Sequence, residues 1–244
     1  MSSLPVAILA GGLATRLRPL TEKVPKALIP VAGRPFLDYQ LTSLREQNLR
    51  DVVVCAGFLG ERIQEEFGDG QRHEIRIRYS FDGPTLLGTG GAIRHALPLL
   101  GDAFFVLYGD SFLQIDYAAV ADAFFRSGRS ALMTVFENRN HWDNSNVEFT
   151  EPEIKAYDKK NRTPNMTYID YGLTVYRSTV FEAYSAAAPL DLSDVLKDLA
   201  TRKDLAGYEA RTRFYEIGSL SGIDEFTQAL TNELRVTGGS ACQH

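Results

Sequence analysis

Short apolar runs alternate along the chain with longer segments in which apolar residues recur every three or four positions. The run at 51–56, Asp-Val-Val-Val-Cys-Ala, has the length of a buried strand, whereas 36–47 gathers its apolar side chains on one side of a helix. In the first half, strands are predicted at 5–10, 51–56, 75–79, 104–108 and 130–136, and helices at 36–47, 60–67, 89–100 and 116–126.

The second half is less regular. It predicts a small antiparallel pair at 147–149 and 153–157, a strand at 168–176, a helix at 192–203, short strands at 205–212 and 214–217, and a closing helix at 221–234. The alternation of strand and helix is typical of an α/β protein with a doubly wound, mostly parallel, Rossmann-like sheet and a ligand site at the strand carboxyl ends. We expect one domain at 1–236 and a flexible tail at 237–244.

The composition of the chain excludes several classes of protein. The 244 residues are 44% hydrophobic, enough for a substantial core, and a net charge of −5 argues against a nucleic-acid surface. No apolar run is long enough to span a membrane, and residues 1–5 lack the basic start of a signal peptide. Cys55 and Cys242 provide neither a metal cluster nor a disulfide framework. We therefore expect a cytoplasmic protein without a membrane or nucleic-acid partner. The sequence does not decide whether the protein forms a homo-oligomer.

The predicted strand at 5–10 ends in Gly11 and Gly12, and the loop after it carries Arg16 and Arg18. Small residues let a polyanion approach the backbone closely, and the arginines would neutralise its charge. The glycine spacing fits neither a Walker loop nor a dinucleotide-binding loop. Taken alone, this segment is either a phosphate-binding loop or a βα turn with two solvated arginines.

Two further motifs follow: L-R-P-L-T at 17–21 and P-K-A-L-I-P-V at 25–31, which sets Lys26 between two prolines. With this combination the chain resembles the sugar-phosphate nucleotidyltransferase family, whose pattern is [AG]-G-x-G-T-R-L-x-P-L-T followed by P-K-[PA]-L-x-P-V. Ala14 stands where the family usually has glycine, at a cost of about 1 kcal/mol if the position needs a positive φ. The subgroup that looks most similar contains heptose-1-phosphate and mannose-1-phosphate guanylyltransferase-like proteins.

The resemblance implies an enzyme that joins a nucleoside triphosphate to a sugar 1-phosphate, giving a nucleotide-sugar and pyrophosphate. The subgroup favours a guanylyltransferase acting on a heptose or hexose 1-phosphate. A uridylyl-, thymidylyl- or cytidylyltransferase, or a non-catalytic nucleotide-sugar-binding regulatory paralogue, remains an alternative. The resemblance assigns catalytic roles to Arg16, Lys26 and Asp110. It assigns nucleotide binding to Leu9, Ala10, Gly11, Gly12, Leu13, Ala14, Thr15 and Arg16.

The resemblance also implies Mg²⁺, a cation that prefers carboxylate and phosphate oxygens. Asp110, which follows the strand at 104–108 and Gly109, matches the metal-binding aspartate of the family, although an acid there could instead cap a helix. The second ligand is expected at Glu216, where the family usually has aspartate. Leu220 replaces a proline of the same motif, so this match is partial.

A second glycine stretch, Leu-Gly-Thr-Gly-Gly-Ala at 87–92, precedes the predicted helix at 89–100. As plain structure it is a helix entry with Thr89 as the cap. The resemblance assigns Leu86, Gly88 and Thr89 to the nucleobase. Because backbone groups would make these contacts, the sequence leaves the identity of the base open.

Two motifs of the subgroup, D-Y-G at 170–172 and Y-D-K-K-N at 157–161, indicate the residues that would bind the sugar phosphate. Lys159 and Lys160 are both candidates to hold the phosphate, and the spacing from the strand favours Lys160; a solvated loop is the alternative. The complete set of sugar-phosphate residues implied by the resemblance is Gly109, Asn146, Lys159, Lys160, Asp170 and Gly172.

Overall fold

The computed structural model describes residues 3–12, 17, 19–83, 85–185 and 188–238, without the side chains of Leu20 and 233–238. The predictions for 13–16 therefore lie outside the described residues. Of the predicted tail only 237–238 are described, and they continue the last helix. Within the described part of the chain, no helix is both long and apolar enough to cross a bilayer.

The predicted elements are all present, with ends that differ by a few residues. The strands are β1 (Val6–Leu9), β2 (Pro30–Val31), β3 (Arg34–Pro35), β4 (Asp51–Ala56), β5 (Arg76–Phe81), β6 (Ala103–Tyr108), β7 (Ser111–Phe112), β8 (Ala131–Glu137), β9 (Val147–Thr150), β10 (Glu153–Tyr157), β11 (Tyr168–Arg177), β12 (Leu205–Ala210) and β13 (Tyr215–Glu216). The helices are α1 (Phe36–Glu46), α2 (Gly60–Phe67), α3 (Thr89–Leu100), α4 (Tyr117–Ser127), α5 (Leu192–Thr201) and α6 (Leu220–Gly238).

One sheet has the strand order β5-β4-β1-β6-β11-β8-β12-β10-β9. Strands β5, β4, β1 and β6 are mutually parallel, as are β8 and β12. Strand β11 runs antiparallel between β6 and β8, and β9 and β10 form the predicted antiparallel pair. The α/β fold with a Rossmann-like parallel half is therefore confirmed, and the antiparallel part extends into the middle of the sheet.

Both faces of the sheet are covered, because alternate side chains of a strand point to opposite faces. Val6 and Ile8 of β1 belong to one buried cluster with α1, α2 and α4, while Ala7 belongs to a second cluster with α3 and α5. A parallel strand covered on both faces is apolar at successive positions, as β1 is. The covered faces leave the carboxyl edge of the sheet for a ligand.

The last helix belongs to a third cluster, centred on Phe226. Its ring packs edge-to-face against Phe36 and Tyr39 of α1, with centroids 5.6 and 5.4 Å away. On its other side it meets Phe112 of β7 at 4.8 Å and Tyr215 of β13 at 5.8 Å. Phe226 is 1% exposed. This ring therefore holds the β7–β13 pair against α1.

We predict that Phe226→Ala lowers the free energy of unfolding by about 3–5 kcal/mol, because it leaves a cavity among four aromatic rings. Urea unfolding followed by circular dichroism measures the change. Leu220→Ala is the matched control: it lies on the same helix, is 67% exposed, and should change stability by less than about 0.5 kcal/mol. Equal effects of the two substitutions would show that the cluster does not anchor α6.

Candidate active site

The ends of strands β1 and β6 meet at a glycine. The Gly109 N–H donates to the Leu9 carbonyl oxygen at 3.1 Å. A Cβ atom added to Gly109 would lie 2.3 Å from that oxygen, so a larger residue would push the two segments apart. This close approach brings Asp110, the next residue along the chain, to the carboxyl edge of the sheet.

Lys26 reaches the same edge from the opening segment. It begins a short 3-10 turn, Lys26–Leu28, after Pro25 in an extended conformation. Its Nζ donates to the Asp110 Oδ2 at 2.6 Å, with the two side chains 19% and 33% exposed. The alternative helix-capping role of Asp110 is not seen: Asp116 caps α4 by accepting the Ala119 N–H at 3.0 Å.

Glu216 is brought to Asp110 by backbone pairing. In the antiparallel pair of β7 and β13, Glu216 lies opposite Ser111, and the Ile217 N–H donates to the Asp110 carbonyl oxygen at 2.9 Å. Desolvation of its carboxyl, followed by repulsion from Asp110 and Asp143, raises the pKa of Glu216 to about 7. The residue keeps a solvent-exposed surface and is therefore accessible to a ligand.

A cleft of about 400 Å³ opens beside the Lys26–Asp110 pair. The sequence-predicted site residues that line it are Leu9, Ala10, Gly11, Gly12, Lys26, Leu86, Gly88, Thr89, Gly109, Asp110 and Lys159. The remaining loop candidates, Leu13, Ala14, Thr15 and Arg16, lie outside the described residues. The structure thus brings together residues that are distant along the chain.

The second glycine stretch forms a wall of this cleft and has its own partners. The Gly90 N–H donates to the Leu190 carbonyl oxygen at 2.8 Å. Gly88 has a φ of +76°, and a Cβ atom there would lie 2.5 Å from the same oxygen. The Thr89 hydroxyl accepts the Leu192 N–H at 2.8 Å and does not cap α3. Since backbone donors at the start of α3 are already used, this stretch is not shaped as a phosphate cradle.

A polar network lies on the opposite side, around Asp170. Its side chain is 3% exposed, and its Oδ2 accepts the Tyr108 hydroxyl at 2.8 Å. Its Oδ1 accepts the Gly172 N–H at 3.1 Å, and the Asn146 Oδ1 accepts the Asp170 N–H at 3.1 Å. The Lys159 Nζ lies 3.9 Å from the Asp170 Oδ2. Asn146 and Gly172 therefore fix Asp170, and Lys159 faces the cleft.

The two neighbouring lysines line different depressions of the surface. Lys159 lines the cleft and lies over the Tyr108 ring, with its Nζ 5.4 Å from the centroid. The Lys160 N–H donates to the Asp158 Oδ1 at 2.8 Å, and Lys160 lines a different depression together with Arg162. The spacing argument that favoured Lys160 therefore selects the lysine outside the cleft, because it did not account for the turn that Asp158 makes.

Several residues that line the cleft were not among the predicted site residues: Ala27, Asp82, Ala92, Tyr108, Asp191, Leu192 and Ser193. Asp191 caps α5 by accepting the Ser193 N–H at 2.8 Å, as its position before the predicted helix indicates. Asp82 directly follows the parallel strand β5, whereas Gly109 separates Asp110 from β6. An acid placed directly after a parallel strand is therefore the signal by which the sequence could have identified Asp82.

Comparison with known proteins gives a consistent result. A family model described as nucleotidyl transferase matches residues 6–233. The chain is 30% identical over 227 residues to the N-acetylmuramate alpha-1-phosphate uridylyltransferase of Neisseria meningitidis, covering 91% of the chain and 96% of that protein. It is 26% identical over 192 residues to the D-glycero-alpha-D-manno-heptose 1-phosphate guanylyltransferase of Campylobacter jejuni, covering 78% and 84%. Other curated relatives are longer, and the chain spans about half of their length.

Among solved structures, the inositol-1-phosphate CTP transferase from T. maritima has the same fold, with a TM-score of 0.77 at 20% identity over 96% of this chain and 97% of that one. The matched family region contains Lys26, Asp110 and Glu216. The chain therefore belongs to the nucleotidyl transferase family of enzymes, as a sugar-1-phosphate nucleotidyltransferase.

Proposed function

We propose that this enzyme transfers a guanylyl group from GTP to a heptose or hexose 1-phosphate. The arrangement that supports nucleotidyl transfer most directly is the Lys26–Asp110 pair, 2.6 Å apart and next to Glu216, at the edge of the cleft. Guanine and heptose are favoured by the motifs at 157–161 and 170–172 and by the Campylobacter jejuni relative.

To catalyse this reaction, the protein must position the two substrates and supply positive charge. An oxygen of the sugar phosphate would attack the α-phosphorus of the triphosphate in line, forming one P–O bond, while the bond to the β-phosphate breaks and pyrophosphate leaves. The attacking oxygen is already ionised, so no general base is required. Lys26 would stabilise the charge that develops at the α-phosphoryl group.

Asp110 and Glu216 fit a magnesium ion as a pair of carboxylates. Mg²⁺ is commonly held by one or two protein carboxylates together with substrate phosphates. Asp110 is paired with Lys26, and its carboxylate is one of the groups that raise the pKa of Glu216, after desolvation. No group of three or more His, Cys, Asp or Glu side chains forms a metal site among the described residues, so substrate oxygens would complete the shell. When bound, the ion supplies positive charge next to the phosphates.

The remaining roles follow from the family resemblance. The backbone from Gly11 to Thr15, with Arg16, would hold the pyrophosphate, and Leu86, Gly88 and Thr89 would flank the base. Lys159 rather than Lys160 would bind the sugar phosphate, since it lines the cleft beside Asp170. Asn146 and Gly172 would support these contacts by holding Asp170, and Gly109 by allowing the close approach of β6 to β1.

We expect pyrophosphate release with GTP, at the highest kcat/KM for a heptose or mannose 1-phosphate. A panel of GTP, UTP, dTTP, CTP and ATP with heptose, mannose, glucose and N-acetylmuramate 1-phosphates measures this. Faster turnover of UTP with N-acetylmuramate 1-phosphate would replace the proposed base and sugar but keep the reaction. Absence of release with every pair would contradict the proposed reaction.

Lys26→Ala should lower kcat by about 100-fold or more, since one cation acting on transition-state charge contributes about 3 kcal/mol. Steady-state pyrophosphate release measures the change. Lys23→Ala is the matched control, because Lys23 is exposed on the same segment. If Lys26→Ala melted far below the wild type while activity per folded molecule stayed unchanged, Lys26 would be structural.

Glu216→Gln should lower activity at limiting Mg²⁺ by at least about 10-fold, because glutamine keeps the shape but removes the charge that Mg²⁺ prefers. High Mg²⁺ should restore part of the loss, and Glu216→Asp should keep measurable activity. Glu61→Gln, an exposed position on α2, serves as the control. Full activity of Glu216→Gln at limiting Mg²⁺ would remove Glu216 from the metal site.

A further inference from the structure

Tyr108, the last residue of β6, contacts two charged groups of the cleft at once. Its hydroxyl donates to the Asp170 Oδ2 at 2.8 Å, and the Lys159 Nζ lies over its ring, 5.4 Å from the centroid. The Lys159 Nζ is also 3.9 Å from the same Asp170 Oδ2. One carboxylate oxygen therefore faces two donors, the Tyr108 hydroxyl and the Lys159 ammonium, and the hydroxyl makes the shorter contact.

The Asp170 carboxylate is fixed, whereas the Lys159 side chain can move. Asp170 is buried, and its Oδ1 accepts the Gly172 N–H at 3.1 Å. Its backbone N–H donates to the Asn146 Oδ1, also at 3.1 Å. The side chain of Lys159 is 45% exposed and carries its charge on a flexible four-carbon stem. A change at this contact would therefore move the lysine rather than the aspartate.

The separation between Lys159 and Asp170 decides what the ammonium can bind. At 3.9 Å the Lys159 Nζ is beyond the roughly 3.2 Å limit of a good hydrogen bond, so its three N–H groups stay available to a ligand. A lysine that closed onto the buried carboxylate would give up at least one of these donors and much of its attraction for another anion. The Tyr108 hydroxyl opposes that closure because it already occupies the Asp170 Oδ2.

We infer that Tyr108 is a positioning residue, whose hydroxyl occupies Asp170 and so keeps the Lys159 ammonium available for the phosphate of the sugar 1-phosphate. This rests on the proposed role of Lys159 in binding that phosphate. The ring of Tyr108 contributes as well, because its π face attracts the ammonium and holds it over the cleft. Without the hydroxyl, the sugar phosphate would compete with a buried carboxylate for the same lysine.

Tyr108→Phe keeps the ring and removes only the hydroxyl. It should raise the KM of the sugar 1-phosphate by about 10-fold, the effect of one hydrogen bond to a charged group, and leave the KM of the nucleoside triphosphate unchanged. Steady-state pyrophosphate release with the substrate pair that the panel turns over fastest measures both constants. Tyr184→Phe is the matched control: it removes another 2.8 Å bond from a tyrosine hydroxyl to an aspartate, Asp198, on a segment that does not line the cleft. It should change neither KM.

Lys159→Met separates the inference from the proposed function. It keeps the length of the side chain and removes the charge, so it should raise the KM of the sugar 1-phosphate at least as far as Tyr108→Phe does. Adding Tyr108→Phe to Lys159→Met should raise it no further, because Tyr108 acts through Lys159.

A further increase in the double variant, or an equal rise in the KM of both substrates, would show that Tyr108 is merely structural and would overturn the inference. An unchanged KM in Tyr108→Phe beside a raised KM in Lys159→Met would overturn the inference and leave the proposed function intact. An unchanged KM in Lys159→Met would overturn the role of Lys159 and the inference with it, and absence of turnover with every pair would overturn both proposals.

Discussion

Two carboxylates that repel each other are held together in this protein by backbone hydrogen bonds. The antiparallel pairing of β7 with β13, with the bond from the Ile217 N–H to the Asp110 carbonyl oxygen, leaves Glu216 no freedom to move far from Asp110. Desolvation, with repulsion from Asp110 as the second cause, raises the pKa of Glu216 from 4.5 to about 7. A carboxyl whose pKa is raised by folding favours the folded state below its unfolded pKa. That contribution is lost as the pH rises from the unfolded pKa of 4.5 through the folded pKa of about 7.

The packing of the last helix offsets the free-energy cost of holding the two carboxylates near each other. Phe226 contacts rings from α1, β7 and β13, so the apolar contacts that bury α6 also keep the carboxylates in register. Lys26 lowers the pKa of Glu216 and pairs with Asp110, but it supplies one positive charge for two carboxylates. The site is therefore organised around charge that is not balanced within the described residues, as expected of a site that binds ions.

The sequence predicted the elements well because apolar runs of strand length end at glycines and acids, which mark the carboxyl edge of a parallel sheet. It did not predict that β11 lies antiparallel between β6 and β8, since pairing direction depends on contacts between distant segments. The pairing of Asp110 with Glu216 followed only from the family resemblance. Spacing could not show which of Lys159 and Lys160 lines the cleft, because the local turn at Asp158 places Lys159 there.

Under the proposed function, the distribution of charge along the cleft would orient a bound nucleotide. Lys26 and Asp110 form an ion pair in one part of the cleft, whereas Asp191 lines the wall beside Thr89. Asp191 would repel a phosphate at that wall, and it would not repel an uncharged base with hydrogen-bond donors. The glycines of α3 add to this asymmetry, because the Leu190 carbonyl already occupies the Gly90 donor that could otherwise hold an anion. The second glycine stretch therefore closes one wall of the cleft, and under the proposed function the base would lie against it.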